Sequence, residues 1–419
     1  MQHNRKSLQR LAIEGGRPVR TAAFPPWPVF DEELIAAATD VLRSGKVNYW
    51  TGRQGRRFEE QFAAAAGCRH GVAVANGSVA LELALHALGI GSGDEVIVPA
   101  RGYIATASCC IMRGAAPVFA DIDPASQNIT AETIRKVLSP RTKAIIVVHL
   151  AGWPCDMEPI MALAGEFGLA VIEDCAQAHG ARYRGRPVGS FGHAAAFSFC
   201  QDKILTTGGE GGMLTTNERS IWRRAWSFKD HGKSWQAAKH PDKTRVFQWL
   251  HESFGTNWRM TEMQAALGRK ALGKLPGWLA ARRKHAAVLD RRFGRLPQLR
   301  LAVPPDHIDH AYYKYHVFLR GELLRPGWSR DRIARAVQAE GVPCGSGMCP
   351  EIYLEKAFEQ TPWRPRRRLP AAEKLGQTSL MFQVHPTLTD RELQDTCRAV
   401  AKVLHAACVD TQSTLDKAA

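Results

Sequence analysis

Between about residue 70 and residue 216 the chain alternates short, unbroken apolar runs with segments whose apolar residues recur at helical spacing. His70-Gly-Val-Ala-Val-Ala75 reads as a strand, and Ser78 to Leu88 as a helix with Leu81, Ala84, Leu85 and Leu88 on one face. Glu95-Val-Ile-Val-Pro99 predicts a second strand, with a helix around Tyr103 to Met112 after it. Pro117 to Asp121, Lys143 to His149 and Leu169 to Asp174 continue the alternation. Continuous Val and Ile runs between helices predict a mainly parallel sheet buried on both faces, since a strand with one wet face alternates instead. In such sheets ligands bind beyond the carboxyl ends of the strands, and Gly77, Tyr103 and Asp174 fall at or just past such ends.

Past about residue 260 the pattern changes to long amphipathic helices rich in arginine, then a strand-like Tyr312 to Leu319 and helices near Arg330 to Glu340 and Asp390 to Ala406. This predicts a smaller α+β unit. The 419 residues suit two domains: an N-terminal arm over 1–30, containing Pro25-Pro26-Trp27-Pro28, a large domain over 31–265, a smaller C-terminal one over 266–408, and a disordered tail over 409–419.

Composition narrows the class. No apolar stretch reaches membrane-spanning length, and basic Met1 to Lys6 leads into no signal-like apolar region, so the expectation is a cytoplasmic protein with no membrane partner. The ten cysteines form no CxxC pair and read as reduced, buried thiols. A net charge of +16 raises nucleic-acid binding, but the basic residues are spread along the chain, with one short cluster at Arg364 to Arg368 and no aromatic interleaving. A basic surface that assists a phosphorylated small molecule is the better reading, with no nucleic acid.

The chemistry concentrates in Phe197-Ser-Phe-Cys-Gln-Asp-Lys203-Ile-Leu-Thr-Thr-Gly-Gly-Glu-Gly-Gly212. One lysine stands just after an apolar run and just before a glycine cluster, where it can be desolvated and act as a nucleophile toward aldehydes. Upstream, Asp174 ends the apolar run Leu169-Ala-Val-Ile-Glu-Asp. Singly, Lys203 also reads as a surface lysine and Asp174 as a strand-end cap. Together they meet what pyridoxal phosphate requires: an amine for its aldehyde and a carboxylate for its pyridine nitrogen. Asn76-Gly77-Ser78, between the first strand and its helix, supplies a place for the phosphate, although Ser78 as an ordinary N-cap explains the same residues. Gly89 to Gly93 precedes a strand instead of following one, and Gly232-Lys-Ser lacks the first glycine of a P-loop because position 227 is serine. Neither is a nucleotide fingerprint.

Several of these segments, in order, carry a resemblance. Asn-Gly-Ser-Val-Ala-Leu from Asn76, Asp-Glu-Val-Ile-Val-Pro at 94–99, Glu-Asp-Cys-Ala-Gln-Ala-His-Gly at 173–180, the Lys203 segment and Asn257-Trp-Arg-Met-Thr-Glu-Met-Gln-Ala-Ala266 resemble the DegT/StrS pyridoxal-phosphate sugar aminotransferases, over roughly residues 12–405. The resemblance implies an α/β protein of PLP-transferase fold type I, with a mainly parallel seven-stranded sheet flanked by helices plus the smaller α+β domain. It implies pyridoxal 5'-phosphate as cofactor, held by Lys203 and moving protons through that amine, with Asp174 on the pyridine nitrogen. Gln177 is placed on the phenolic oxygen side, Ser198 with Gly77 and Ser78 at the phosphate, and Tyr103 stacked on the ring, its alternative being a core tyrosine. Asn257 is implied to reach the phosphate of a neighbouring subunit, making the site a property of a homodimer.

The same resemblance implies transfer of an amino group from L-glutamate or L-glutamine to a keto-sugar, foremost a nucleoside-diphosphate keto-sugar. A keto-cyclitol acceptor is the rival, because Glu14-Gly-Gly-Arg-Pro-Val-Arg resembles relatives acting on cyclitols. A dehydratase without an anchoring lysine is disfavoured by Lys203, and a non-catalytic cofactor-binding regulator by the absence of a helix-turn-helix signal. Relatives often read Phe-Thr-Phe or Met-Thr-Trp where this chain has Arg101-Gly-Tyr103, so Arg101 is either a substrate contact or a surface arginine. The histidines, His149 and His179 among them, show no ligand spacing, so no metal is expected. His179 is expected to orient neighbours in the cofactor pocket.

Overall fold

The computed structural model describes residues 10–240, 242 and 244–409; of the tail expected over 409–419, Val409 is held by its N–H on Leu323 O at 2.9 Å and 410–419 lie outside the described residues. Seven strands form the central sheet: β1 (His70–Val74), β2 (Glu95–Pro99), β3 (Ala116–Ala120), β4 (Thr142–Val148), β5 (Ala170–Asp174), β6 (Ala194–Ser198) and β7 (Gly212–Thr216), in the spatial order β1-β7-β6-β5-β4-β2-β3. Neighbours from β3 through β6 pair in parallel, while β7 runs antiparallel to both β1 and β6. The mainly parallel reading therefore holds, with β7 as the one reversal.

Burial explains the apolar runs. Ile145, Ile146 and Val147 of β4 and Val171 and Ile172 of β5 are completely buried, successive residues facing opposite sides that both carry helices. Truncating Ile146 to alanine is expected to cost about 2–5 kcal/mol. The helix after β1 covers Gly77–Leu88 and starts one residue earlier than the periodicity predicts, because Asn76, not Ser78, caps it: the Asn76 side chain accepts from Val79 N at 3.0 Å.

The region past residue 260 opens with one 32-residue helix, Glu262–Phe293, that runs through Pro276 without ending. Its first half packs Ala265, Leu267, Ala271, Leu275 and Leu279 with Phe58 and Phe62 of the helix Gln54–Ala65 and with Phe197 and Met213 on one face of the central sheet, and its second half packs Ala286, Leu289 and Phe293 into a separate core. That second core surrounds a small antiparallel sheet of β8 (Leu299–Leu301), β9 (Tyr315–Leu319) and β10 (Ser379–Phe382). It also takes in Leu11, and Arg20 pairs there with Glu392 at 2.8 Å and Asp395 at 3.0 Å. The strand predicted from Tyr312 begins only at Tyr315. Tyr312 takes a positive φ of 48°, and this turn presents Tyr313 and Lys314 to the carboxyl-end face of the large sheet.

Candidate active site

Parallel pairing sets Asp174, the last residue of β5, opposite Ala196 of β6, two residues before Ser198. The Asp174 carboxylate is buried, with one oxygen accepting from the Thr106 hydroxyl at 2.9 Å and the other from Ala176 N at 3.1 Å. Burial raises its pKa, opposed by these two hydrogen bonds and by the charge of Lys203. A cation set against Asp174 offsets that cost, and a protonated ring nitrogen is such a cation. Beside it, the Gly77–Leu88 helix begins against Ser198 so closely that a Cβ on Gly77 would lie 2.6 Å from Ser198 Cβ. With Asn76 occupied in capping Val79, the Gly77 and Ser78 N–H groups are left at an open helix N-terminus, and Ser78 is exposed.

Lys203 follows β6 in a short turn. Its Nζ lies 3.9 Å from Asp202 Oδ1 and 5.0 Å from the centroid of the Tyr313 ring, and its carbonyl accepts from the Trp27 indole at 3.0 Å. The Tyr313 hydroxyl donates to Asp202. A cavity of about 350 Å³ opens here, lined among others by Trp27, Asp202, Arg282, Tyr313, Lys314 and His385. Burial, opposed by Asp202 but helped by Arg282 and Lys203, holds the Lys314 amine below its ordinary pKa.

Gln177 is buried, not a surface residue: its Oε1 accepts from Ala151 N at 2.7 Å and its Nε2 donates to Met348 Sδ at 3.2 Å, a weak acceptor that an oxygen readily replaces. Tyr103 is 65% exposed, which removes the core-packing alternative and leaves its ring free to stack. Asn257 is exposed and makes no side-chain hydrogen bond among the described residues; the stretch it begins runs past the end of β1, where Ala75 N donates to Trp258 O at 2.9 Å. The structure thus gathers Gly77, Ser198 and Asp174 in direct succession, with Lys203 and Gln177 around them, and leaves Asn257 facing outward.

Two expectations change. Arg101 is not a surface residue but is wholly buried. His179 makes no well-formed hydrogen bond through either ring nitrogen; the ring packs among Phe62, Phe197 and Phe199, where burial and the charge of Lys203, opposed by the Ser198 backbone, push its pKa down to about 3. Sequence reading also passed over a buried support under Asp174. His149 Nε2 lies 3.0 Å from Glu173 Oε2, which with Oε1 also accepts from the Gly189, Phe191 and Gly192 N–H groups, while His149 Nδ1 accepts from Cys155 N. His149, Glu173 and Cys175 converge closely enough to hold an ion, yet the nitrogens and oxygens are already engaged. Burial pushes Glu173 up, but His149 and the turn's N–H groups prevail and lower its pKa overall.

The sequence pattern of the DegT/DnrJ/EryC1/StrS aminotransferase family matches residues 28–401. The chain belongs to this family. Its cofactor is pyridoxal phosphate, and it is an aminotransferase of the amino-sugar type. A solved aminotransferase from Psychrobacter cryohalolentis is 52% identical, superposes with a TM-score of 0.90, and covers 92% of this chain and 99% of its own. A UDP-N-acetyl-3-dehydro-alpha-D-glucosamine 3-aminotransferase of Acidithiobacillus ferrooxidans is 37% identical over 89% of this chain and 94% of its own length. An L-glutamine:2-deoxy-scyllo-inosose aminotransferase of Streptoalloteichus tenebrarius is 34% identical over 94% of this chain and 97% of its own. The fold is accordingly PLP-transferase fold type I. Among the described residues no helix is long and apolar enough to cross a membrane.

Proposed function

We propose that this aminotransferase moves an amino group from L-glutamate or L-glutamine to the ketone of a nucleoside-diphosphate-linked sugar. The observation that carries the acceptor class is the cavity beside Lys203, where Arg282 and Lys314 face the single carboxylate of Asp202. Arg282 Nε and Nη2 are buried without partners, and a diphosphate supplies the negative charge that this wall lacks.

Pyridoxal phosphate, when bound, supplies the electron sink that lets the carbon bearing the amine lose and regain a proton. The residues here fit it: a buried carboxylate in need of a cation, an open helix N-terminus pressed on Ser198, and an amine on the adjacent turn. Lys203 Nζ takes the proton from that carbon and returns it. Asp174, fixed by the Thr106 hydroxyl, holds the ring nitrogen in its protonated form. Gly77 and Ser78 N–H with the Ser198 hydroxyl would hold the cofactor's phosphate, Gln177 Nε2 would donate to its phenolic oxygen, and the Tyr103 ring would cover one face.

The chain acts as a homodimer in this reading. Val246, Phe247, Trp249 and Phe254 are at least 66% exposed on the segment leading to Asn257, an apolar surface that a second copy covers while Asn257 reaches the neighbouring phosphate site.

The keto-cyclitol reading keeps its place through the likeness over 94% of the chain to the scyllo-inosose enzyme. Presenting the amino form of the enzyme with a UDP-linked 3-keto-sugar and with 2-deoxy-scyllo-inosose separates them. Amination of the nucleotide sugar at tenfold or greater kcat/KM is expected; preference for the cyclitol overturns the acceptor assignment. A protein that takes up the cofactor but turns over no amine donor is a regulator instead.

A further inference from the structure

Arg101 is completely buried, and no carboxylate among the described residues lies within ion-pair distance of it. Its Nη2 donates to Ser379 Oγ at 3.0 Å, while Nε and Nη1 have no partner. Ser379 spends its own proton on Ser346 O. Burial and the nearby Arg330 lower the Arg101 pKa only to about 10, so the guanidinium stays charged at neutral pH. An uncompensated buried cation is a standing cost to the fold unless an anion reaches it.

A second unpartnered nitrogen lies at the same space. His316 Nε2 is buried and unpartnered, while its Nδ1 is engaged by the Gln127 side-chain amide, 3.0 Å from Nε2 and 3.1 Å from Oε1 of that residue. Between the two lies the bare face of Gly347: a Cβ there would sit 3.0 Å from Arg101 Nη2 and 3.2 Å from His316 Nε2. Gly347 is the middle of an arch, Gly345 to Cys349, tied down at Gly345 by Met381 and at Cys349 by Gly102. The next residue, Met348, rests on Gln177, the residue placed at the cofactor's phenolic oxygen.

We propose that Arg101, with His316 beneath the Gly345–Cys349 arch, is the receptor for a substrate carboxylate, and so selects a substrate that carries one. This rests on the aminotransferase reading. The carboxylate belongs either to the amino donor or to the keto acceptor.

The test uses the holoenzyme, Arg101→Met, Arg101→Lys and His316→Leu, with the two half-reactions followed separately by visible absorption. One arm titrates L-glutamate; the other titrates the amino form with 2-oxoglutarate and with keto-sugars bearing a carboxylate or a hydroxymethyl group at the same carbon. Arg101→Met is expected to weaken one carboxylate-bearing substrate by on the order of 30-fold or more, with the saturated rate within about threefold and partial recovery in Arg101→Lys. His316→Leu, which keeps the charge, is expected to cost about tenfold. The affected arm names the source. If Arg101→Met shows the wild-type cofactor band and binds every substrate as the wild type does, the receptor assignment is wrong. Calorimetric titration with sodium acetate separates this from failure of the aminotransferase reading: heat present in the wild type and lost in Arg101→Met supports the site even when no donor reacts, and equal or absent heat in both overturns it.

Discussion

The floor of the site and its cover are built on opposite principles. Asp174 and Ser198 end neighbouring strands held by the sheet's register, Gly77 opens the helix pressed on Ser198, and the one buried charge among them has its orienting partners in Thr106 and Ala176. The cover comes from segments far apart in the chain: Trp27, Arg101, Arg282, the Tyr313-Lys314 turn and the Gly345–Cys349 arch. Its cations, Arg101 and Arg282 above all, are buried with donors to spare. A preorganised floor does one chemistry on whatever is bound, whereas unsatisfied donors in the cover wait for particular acceptors. In the proposed reading, reaction and selectivity therefore reside in separable parts of this molecule.

If that separation is real, floor substitutions lower the rate with every substrate. Lys203→Ala is expected to reduce the donor half-reaction by on the order of 10³-fold or more, read in single-turnover absorption. Asp174→Asn is expected to cost roughly 10²-fold with donor and acceptor alike. Thr106→Val, which only releases Asp174, is expected to cost about tenfold. Mixing Lys203→Ala with Asn257→Ala sharpens the dimer reading. Random exchange leaves one intact site in half of the dimers, so about a quarter of wild-type activity returns if Asn257 acts across subunits, and none if it acts within its own chain.

Cover substitutions are expected to split the substrates instead. Lys314→Met raises KM for the nucleotide-sugar acceptor by about tenfold and leaves the donor half-reaction within about threefold; an equal loss in both half-reactions merges cover with floor.

The smallest effect is on stability. Because burial raises the Asp174 pKa in the folded chain, its contribution is fully present below the unfolded carboxylate pKa and is lost as pH rises through the folded one. Asp174→Asn is therefore expected to raise the Tm of cofactor-free protein at neutral pH, with the gain shrinking on acidification, while weakening the holoenzyme. Thermal melts against pH with and without cofactor check both signs.

The same division governs what was legible in the sequence. Strand ends announce themselves, since an apolar run that stops at Glu173-Asp174 or before Asn76-Gly77 marks both the element and the edge where ligands sit. Lys203 was legible because a glycine cluster follows it. Thr106 was not, being an unremarked residue in the first turn of its helix until the sheet register brings it to Asp174. Trp27 read as part of an arm, and Arg101 as either a substrate contact or a surface arginine, because pairing across hundreds of residues leaves no local periodicity. The strand placed from Tyr312 shows the limit most clearly: its aromatic run has strand composition, yet Tyr312 turns at positive φ to carry Tyr313 and Lys314 to the site. Glu173 lies within β5 and His149 one residue past the end of β4, where the strand read to His149 has already stopped, and their pairing became visible only with the register.

The central claim is that Lys203 on the Asp174 floor performs the transfer chemistry, and the visible spectrum of purified protein with pyridoxal phosphate tests it most directly. An absorption band that forms in the wild type and disappears on adding excess L-glutamate, with no such change in Lys203→Ala, is the predicted result. No band in the wild type, or a band that responds to glutamate equally in both proteins, contradicts it.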